Sequence, residues 1–94
     1  MIIVDGMMSG TGIRNGDIGG YIKHEELGLS VDLSDSINYW LEEYTVLHRS
    51  MYQNKDAIKR LDDVGLMIAR RVRNELPHQE VKYYSDALMT YIDF

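Results

Sequence analysis

Cysteine is absent from this chain of 94 residues, which removes disulfides and thiolate zinc sites and agrees with a reducing compartment. Proline occurs once, at Pro77, so only one point of the chain is barred outright from continuing a helix. No apolar run approaches the ~20 residues that a membrane helix needs. The opening Met-Ile-Ile-Val-Asp run is too short for the core of a signal peptide and has no basic residue ahead of it, so the expected location is the cytoplasm, with no membrane partner. Basic residues are the minority: ten Lys and Arg against fifteen Asp and Glu give a formal net charge of −5. That balance disfavours nucleic acid as a partner and favours a basic surface.

Signatures of chemistry are missing as well. Ser9-Gly10-Thr11-Gly12 invites comparison with a phosphate loop, but the next residues, Ile13-Arg14-Asn15-Gly16, supply neither a Lys-Ser/Thr pair nor a helix start. His24, His48 and His78 stand 24 and 30 positions apart, far from metal-ligand spacing. Glu25-Glu26, Glu42-Glu43 and Asp62-Asp63 are adjacent pairs, and neighbours on a helix point roughly 100° apart, a poor start for an acid and base dyad. Their expected place is a solvated face. No catalytic residue, metal or cofactor is expected, and the chain reads as a non-enzyme.

What is present is a folded domain. Hydrophobic residues make up 45% of the chain and seven are tyrosine; at this length one domain, 1–94, buries about 60–65% of the surface of its unfolded state. Met1 to Val4 reads as a strand that stops at the turn pair Asp5-Gly6. Gly10, Gly12, Gly16, Gly19 and Gly20 punctuate a loop-rich stretch, in which Ile13-Arg14 and Ile18 to Ile22 can supply one or two short strands, with a bulge at Gly19-Gly20. His24 falls in an expected surface turn.

Ser30 can cap a helix that carries Asp32 in its first turn. Leu33, Ile37, Trp40, Leu41, Tyr44, Leu47 and Met51 then recur at steps of three and four, the spacing of a core-facing helical stripe that runs to about Tyr52. Asn54 can cap a second helix with the stripe Ile58, Leu61, Val64, Gly65, Ile68, Val72 and Leu76. Arg70, Arg71 and Arg73 suit the negative end of its dipole, and Pro77 stops it. Gly65 costs about 1 kcal/mol relative to alanine inside a helix, which points to a close approach by the first helix or the sheet. Glu80 to Ser85 alternates as a half-buried strand, and Leu88 to Phe94 is a further strand or a packed tail. The fold class expected is α+β, two antiparallel helices packed on one face of a small, mainly antiparallel sheet formed by both chain ends.

Charge is unevenly spread. Residues 1–54 hold eight acids and three bases, residues 55–78 four acids and six bases. An acidic face is therefore expected on the first half, with Asp35, Glu42 and Glu43 on the first helix as its carboxylates. Trp40, Tyr44 and one of Tyr83 or Tyr84 belong to the core by phase, leaving Tyr39, Tyr52 and Tyr91 as aromatic anchors for an interface. The residues expected to bind a partner are Asp35, Tyr39, Glu42, Glu43 and Tyr52.

Several stretches carry a resemblance. Gly19-Gly20-Tyr21-Ile22, Glu25-Glu26-Leu27-Gly28-Leu29-Ser30, the run from Leu33 to Tyr44 with Trp40-Leu41-Glu42-Glu43, Ile68-Ala69-Arg70-Arg71-Val72-Arg73 and Val81-Lys82-Tyr83-Tyr84 together look like a group of short bacterial proteins. Some of these resemble the immunity proteins of contact-dependent growth inhibition and related polymorphic toxin systems. The resemblance spans roughly residues 18–84 and rests on cap, core and helix-end positions, so it assigns no residue a role. It implies a bacterial, cytoplasmic, non-enzymatic inhibitor that binds one cognate toxin domain, often a nuclease. The other expectation is a structural or regulatory homodimer that pairs edge strands through Tyr83 to Phe94.

Overall fold

Residues Met1–Phe94 are described by a computed structural model, in which the order of elements is β1 (Ile2–Asp5), β2 (Ile13–Asn15), α1 (His24–Leu27), α2 (Val31–Arg49), α3 (Lys55–Glu75), β3 (Val81–Ser85) and β4 (Thr90–Ile92). The sheet runs β2-β1-β3-β4. β1 pairs antiparallel with β2 through Ile3 and Arg14, β3 antiparallel with β4 through Tyr84 and Tyr91, and the central pair, β1 with β3, is parallel, with Ile2 opposite Val81. The architecture is α+β, with a mostly antiparallel sheet built from both chain ends and two helices packed against it. Two parallel strands need a crossover between them, and the α2–α3 hairpin provides it. Every residue of β1 is buried, as expected for a strand covered on both faces.

Both long helices start where their caps lie. Ser30 Oγ accepts the Leu33 N–H at 3.2 Å, and Asn54 Oδ1 accepts that of Ala57 at 3.0 Å, each satisfying a first-turn donor that has no helical partner. The helices are antiparallel: the start of α2 meets the end of α3 where Glu75 accepts the N–H and hydroxyl of Ser30, and Glu43 reaches Arg60 near the other end at 3.5 Å. Leu33, Ile37, Trp40, Tyr44 and Leu47 bury one face of α2 against Leu61, Ile68, Ala69 and Val72 of α3 and the β1 and β3 side chains. Trp40 stands at the centre, its indole N–H donating to the Leu61 carbonyl at 2.8 Å and its ring meeting Tyr44 edge-on at 5.5 Å. No helix is long and apolar enough to cross a membrane.

Four local differences from the sequence reading have physical causes. α2 stops at Arg49 because Met51 and Tyr52 adopt left-handed backbone, φ 57° and 60°, which turns the chain toward α3 and leaves Met51 76% exposed instead of in the stripe. His24 opens the short helix α1 and is buried, its ring bonded to Ser34 Oγ and the Thr11 carbonyl, each at 2.6 Å. Ile18 is 87% exposed, and of the segment after it only Tyr21 bridges to Arg14, because the backbone reverses at Gly19 and Gly20 with φ 82° and 81°. Asp62 is buried in α3 while Asp63 is exposed and pairs with Lys59 at 2.9 Å.

Candidate functional site

Helix phase decides what α2 shows to solvent. The core positions 33, 37, 40, 44 and 47 leave Asp35, Tyr39, Glu42 and Val46 on the opposite side, about 200° around the axis. Tyr39 is 65% exposed, and Val31 and Val46 flank this ridge, both exposed. The ion pairs near it belong to Glu43 with Arg60 and Asp32 with Arg71, at 3.5 and 3.9 Å, so Asp35 and Glu42 face solvent without a cationic partner. Of the five residues expected to bind a partner, three therefore share one face. Glu43 is turned toward α3, and Tyr52 lies apart, half-buried, with its hydroxyl on His48 Nδ1.

Tyr52 instead lines a second feature, a cleft of about 690 Å³ at the carboxyl ends of β1 and β3. Ligand sites of open sheets that contain parallel strands tend to form at these ends, where strands pass into loops. Asp5, the last residue of β1, accepts the Tyr21 hydroxyl at 2.8 Å and the Met7 N–H at 3.3 Å, and Arg14 Nε lies 3.1 Å from its other oxygen. Charge contact and hydrogen bonding part company there, because the Arg14 Nε–H is not aimed at the carboxylate and donates to nothing. The guanidinium also stands 5.8 Å from the centroid of the Tyr84 ring. Burial lifts the Asp5 carboxyl above its usual range, more than Tyr21, Met7 and Arg14 lower it, and burial beside Asp5 raises the Tyr21 phenol.

Asp86, the residue after β3, faces the same cleft. Its carboxyl is also raised, first by burial and then by Asp5, with His48 and Arg14 opposing. A carboxyl raised in the folded state holds its proton more firmly there than in the unfolded chain, so it adds stability below its ordinary value of 3.8 and loses that stability as the pH climbs through the folded value. Asp86→Asn removes the group that must ionise. The variant is expected to lose less stability than the parent between pH 4 and pH 7 and to be the more stable of the two at pH 7. Urea unfolding at both pH values measures this, and equal slopes contradict it.

Asp5, Arg14, Tyr21 and Asp86 escape a linear reading, since Asp5 looks like half of a turn pair and the other three come from β2, the segment after it and the turn after β3. The available signal is position: two carboxylates each close a strand rich in β-branched or aromatic residues. No group of three or more His, Cys, Asp or Glu side chains converges as a metal-ligand set. Comparison with protein-family models, with curated proteins and with solved structures finds no match to this chain.

Proposed function

We propose that this chain is an immunity protein, a non-enzymatic inhibitor that binds a cognate toxin domain, a nuclease, in the cytoplasm and occludes its active site. The observation that supports the reading is the α2 ridge, where Asp35 and Glu42 stand exposed and unpaired on either side of Tyr39. A cleft that holds nucleic acid phosphates is lined with Lys and Arg, and free carboxylates at helical spacing offer those cations a substitute for the phosphates. An exposed tyrosine between them supplies apolar area with a polar tip and only two side-chain torsions to order, the profile of an interface anchor. Glu43, held by Arg60, serves at the rim.

Binding should therefore be steered by charge. Reversing Asp35 and Glu42 to lysine together is expected to lower the association rate for a basic toxin domain encoded beside this chain by about tenfold or more, and to flatten its salt dependence. Both positions are exposed, so the fold should survive, which circular dichroism verifies. Stopped-flow association at low and moderate salt is the measurement, and rates indifferent to salt and to the reversal sink the electrostatic reading.

One observation favours a second reading, a structural or regulatory homodimer. The outer edge of β2 is bonded to the chain that follows it, through Asn15 N–H to the Gly20 carbonyl and Ile22 N–H to the Ile13 carbonyl, whereas β4 has no strand on its outer side. Two copies joined at β4 would continue the sheet across a two-fold axis. Proline at Tyr91 or Ile92 is then expected to dissociate the dimer, and sedimentation that finds the parent chain monomeric at micromolar concentration rules this reading out.

A further inference from the structure

The cleft at the carboxyl ends of β1 and β3 holds one charge that the protein leaves unanswered. Asp86 has a side chain only 12% exposed, yet no N–H or O–H of the protein donates to its carboxylate. The closest nitrogen of a basic group is His48 Nε2 at 3.9 Å, and its hydrogen is directed to the Gly6 carbonyl at 2.8 Å, which leaves Nδ1 to accept from Tyr52. Asp5, by contrast, already has Tyr21, the Met7 N–H and the Arg14 guanidinium. The single arginine of the cleft is thus set against the first of two carboxylates, and the second remains. Asp86 is half-buried at the cleft and receives no hydrogen bond from the protein, so a ligand that brings an N–H finds this acceptor free.

The walls narrow the class of that ligand. Tyr84 and Tyr91 meet edge to face at 5.1 Å, and Met7, Met8 and Met89 add thioethers. Aromatic faces and polarisable sulfur beside a carboxylate suit an organic cation. A bare metal ion finds too few oxygen and nitrogen donors, because no three convergent ligand side chains exist. An anion meets two carboxylates, Asp5 and Asp86, around a single guanidinium whose charge Asp5 already faces at 3.1 Å. Lys82 lies over the Tyr91 ring at 5.8 Å but makes no ion pair with Asp86. The volume of about 690 Å³ is that of a small-molecule site.

We propose that this cleft binds an organic ammonium or guanidinium group, with Asp86 as its counter-charge and the Tyr84 and Tyr91 rings as its wall. The site is separate from the α2 ridge, and it stands or falls without the toxin-binding reading. The group can come from a free amine or from a Lys or Arg side chain presented by another protein.

The full chain is titrated with butylammonium, butylguanidinium, N-acetyl-lysine methylamide and N-acetyl-arginine methylamide, with 1-butanol as the neutral control, while the methyl resonances of Met7, Met8 and Met89 and the Ala87 amide are followed by NMR. Saturable shifts are expected with at least one cation at a dissociation constant of about 1 mM or tighter, and none with butanol. In Asp86→Asn, which gives up no hydrogen bond within the protein, binding should weaken at least about tenfold. Tighter binding of the capped amino acids identifies a partner's side chain as the source, and tighter binding of the free cations a small molecule. Equal shifts from butanol, equal affinity in Asp86→Asn, or no saturable shift with any cation at about ten times that concentration overturns the proposal.

Discussion

Asp62→Ala is expected to lower the unfolding free energy by about 3 kcal/mol, since hydrogen bonds to a charged acceptor contribute about 1.5–3 kcal/mol each and do not add in full. Asp62 is 5% exposed in the middle of α3 and accepts from the Tyr83 hydroxyl at 2.6 Å, the Ser85 hydroxyl at 2.7 Å and, more weakly, the Tyr44 hydroxyl at 3.4 Å. Two of these oxygens pass the connection on: Ser85 Oγ accepts the Leu88 N–H at 3.1 Å, and the Tyr44 hydroxyl accepts that of Ala87 at 3.0 Å. One carboxylate therefore ties α3 to β3 and to the turn beyond it. Alanine would leave buried hydroxyls with no acceptor, and that desolvation penalty is what makes removing one side of a buried network so costly. Burial, and then the bond to Asp62, push the Tyr83 phenol far above its ordinary range, so it remains a donor at any pH at which the fold is studied. For a domain of this size the loss corresponds to a fall in melting temperature of about 12–24 °C. Calorimetry reads it directly, and a fall of only a few degrees would show that the network contributes little.

Gly65→Ala should destabilise the protein by about 2 kcal/mol, against the direction of helix propensity, which favours alanine by about 1 kcal/mol. A Cβ at this position would stand 2.5 Å from the Tyr83 hydroxyl oxygen and 2.6 Å from Cζ of the same ring. Tyr83 cannot give way easily, because it is fully buried and its hydroxyl is held by Asp62. The helix must retreat from the sheet or the ring must leave its bond. The two costs are separable in a double-mutant cycle: with Tyr83→Leu in place the obstruction is smaller, and Gly65→Ala should become neutral or stabilising. A penalty of the same size in both backgrounds would locate its cause elsewhere.

These two residues also show how far the fold is legible in a linear reading. Gly65 announces itself, since a glycine inside an apolar stripe needs a reason, and the partner proves to be the sheet and not the neighbouring helix. Asp62 hides beside Asp63, because a buried carboxylate is recognisable only once Tyr83 and Ser85 are brought to it from β3. The long helices are readable from Ser30, Asn54 and their stripes, as caps and periodicity act over a few residues. The parallel union of β1 with β3 is not, because nothing local at Ile2 specifies Val81. The ridge on α2 follows from the same phase that places Trp40 in the core, so Asp35, Tyr39 and Glu42 could be grouped in advance. The cleft draws Asp5, Arg14, Tyr21 and Asp86 from four separate segments, and only the assembled sheet makes it one place.

The union of β1 with β3 also orders events in time. During synthesis, residues 2–5 emerge long before residues 81–85, their central neighbours, exist. The β1–β2 ribbon and the α2–α3 hairpin close short loops and can form early, whereas the middle of the sheet must wait for its most distant pairing. Until then one edge of an apolar strand stays open to other chains. The vulnerable species for aggregation is thus the nascent chain that already carries both helices but not β3, and the rate at which β3 arrives should limit how much of the protein reaches the native state.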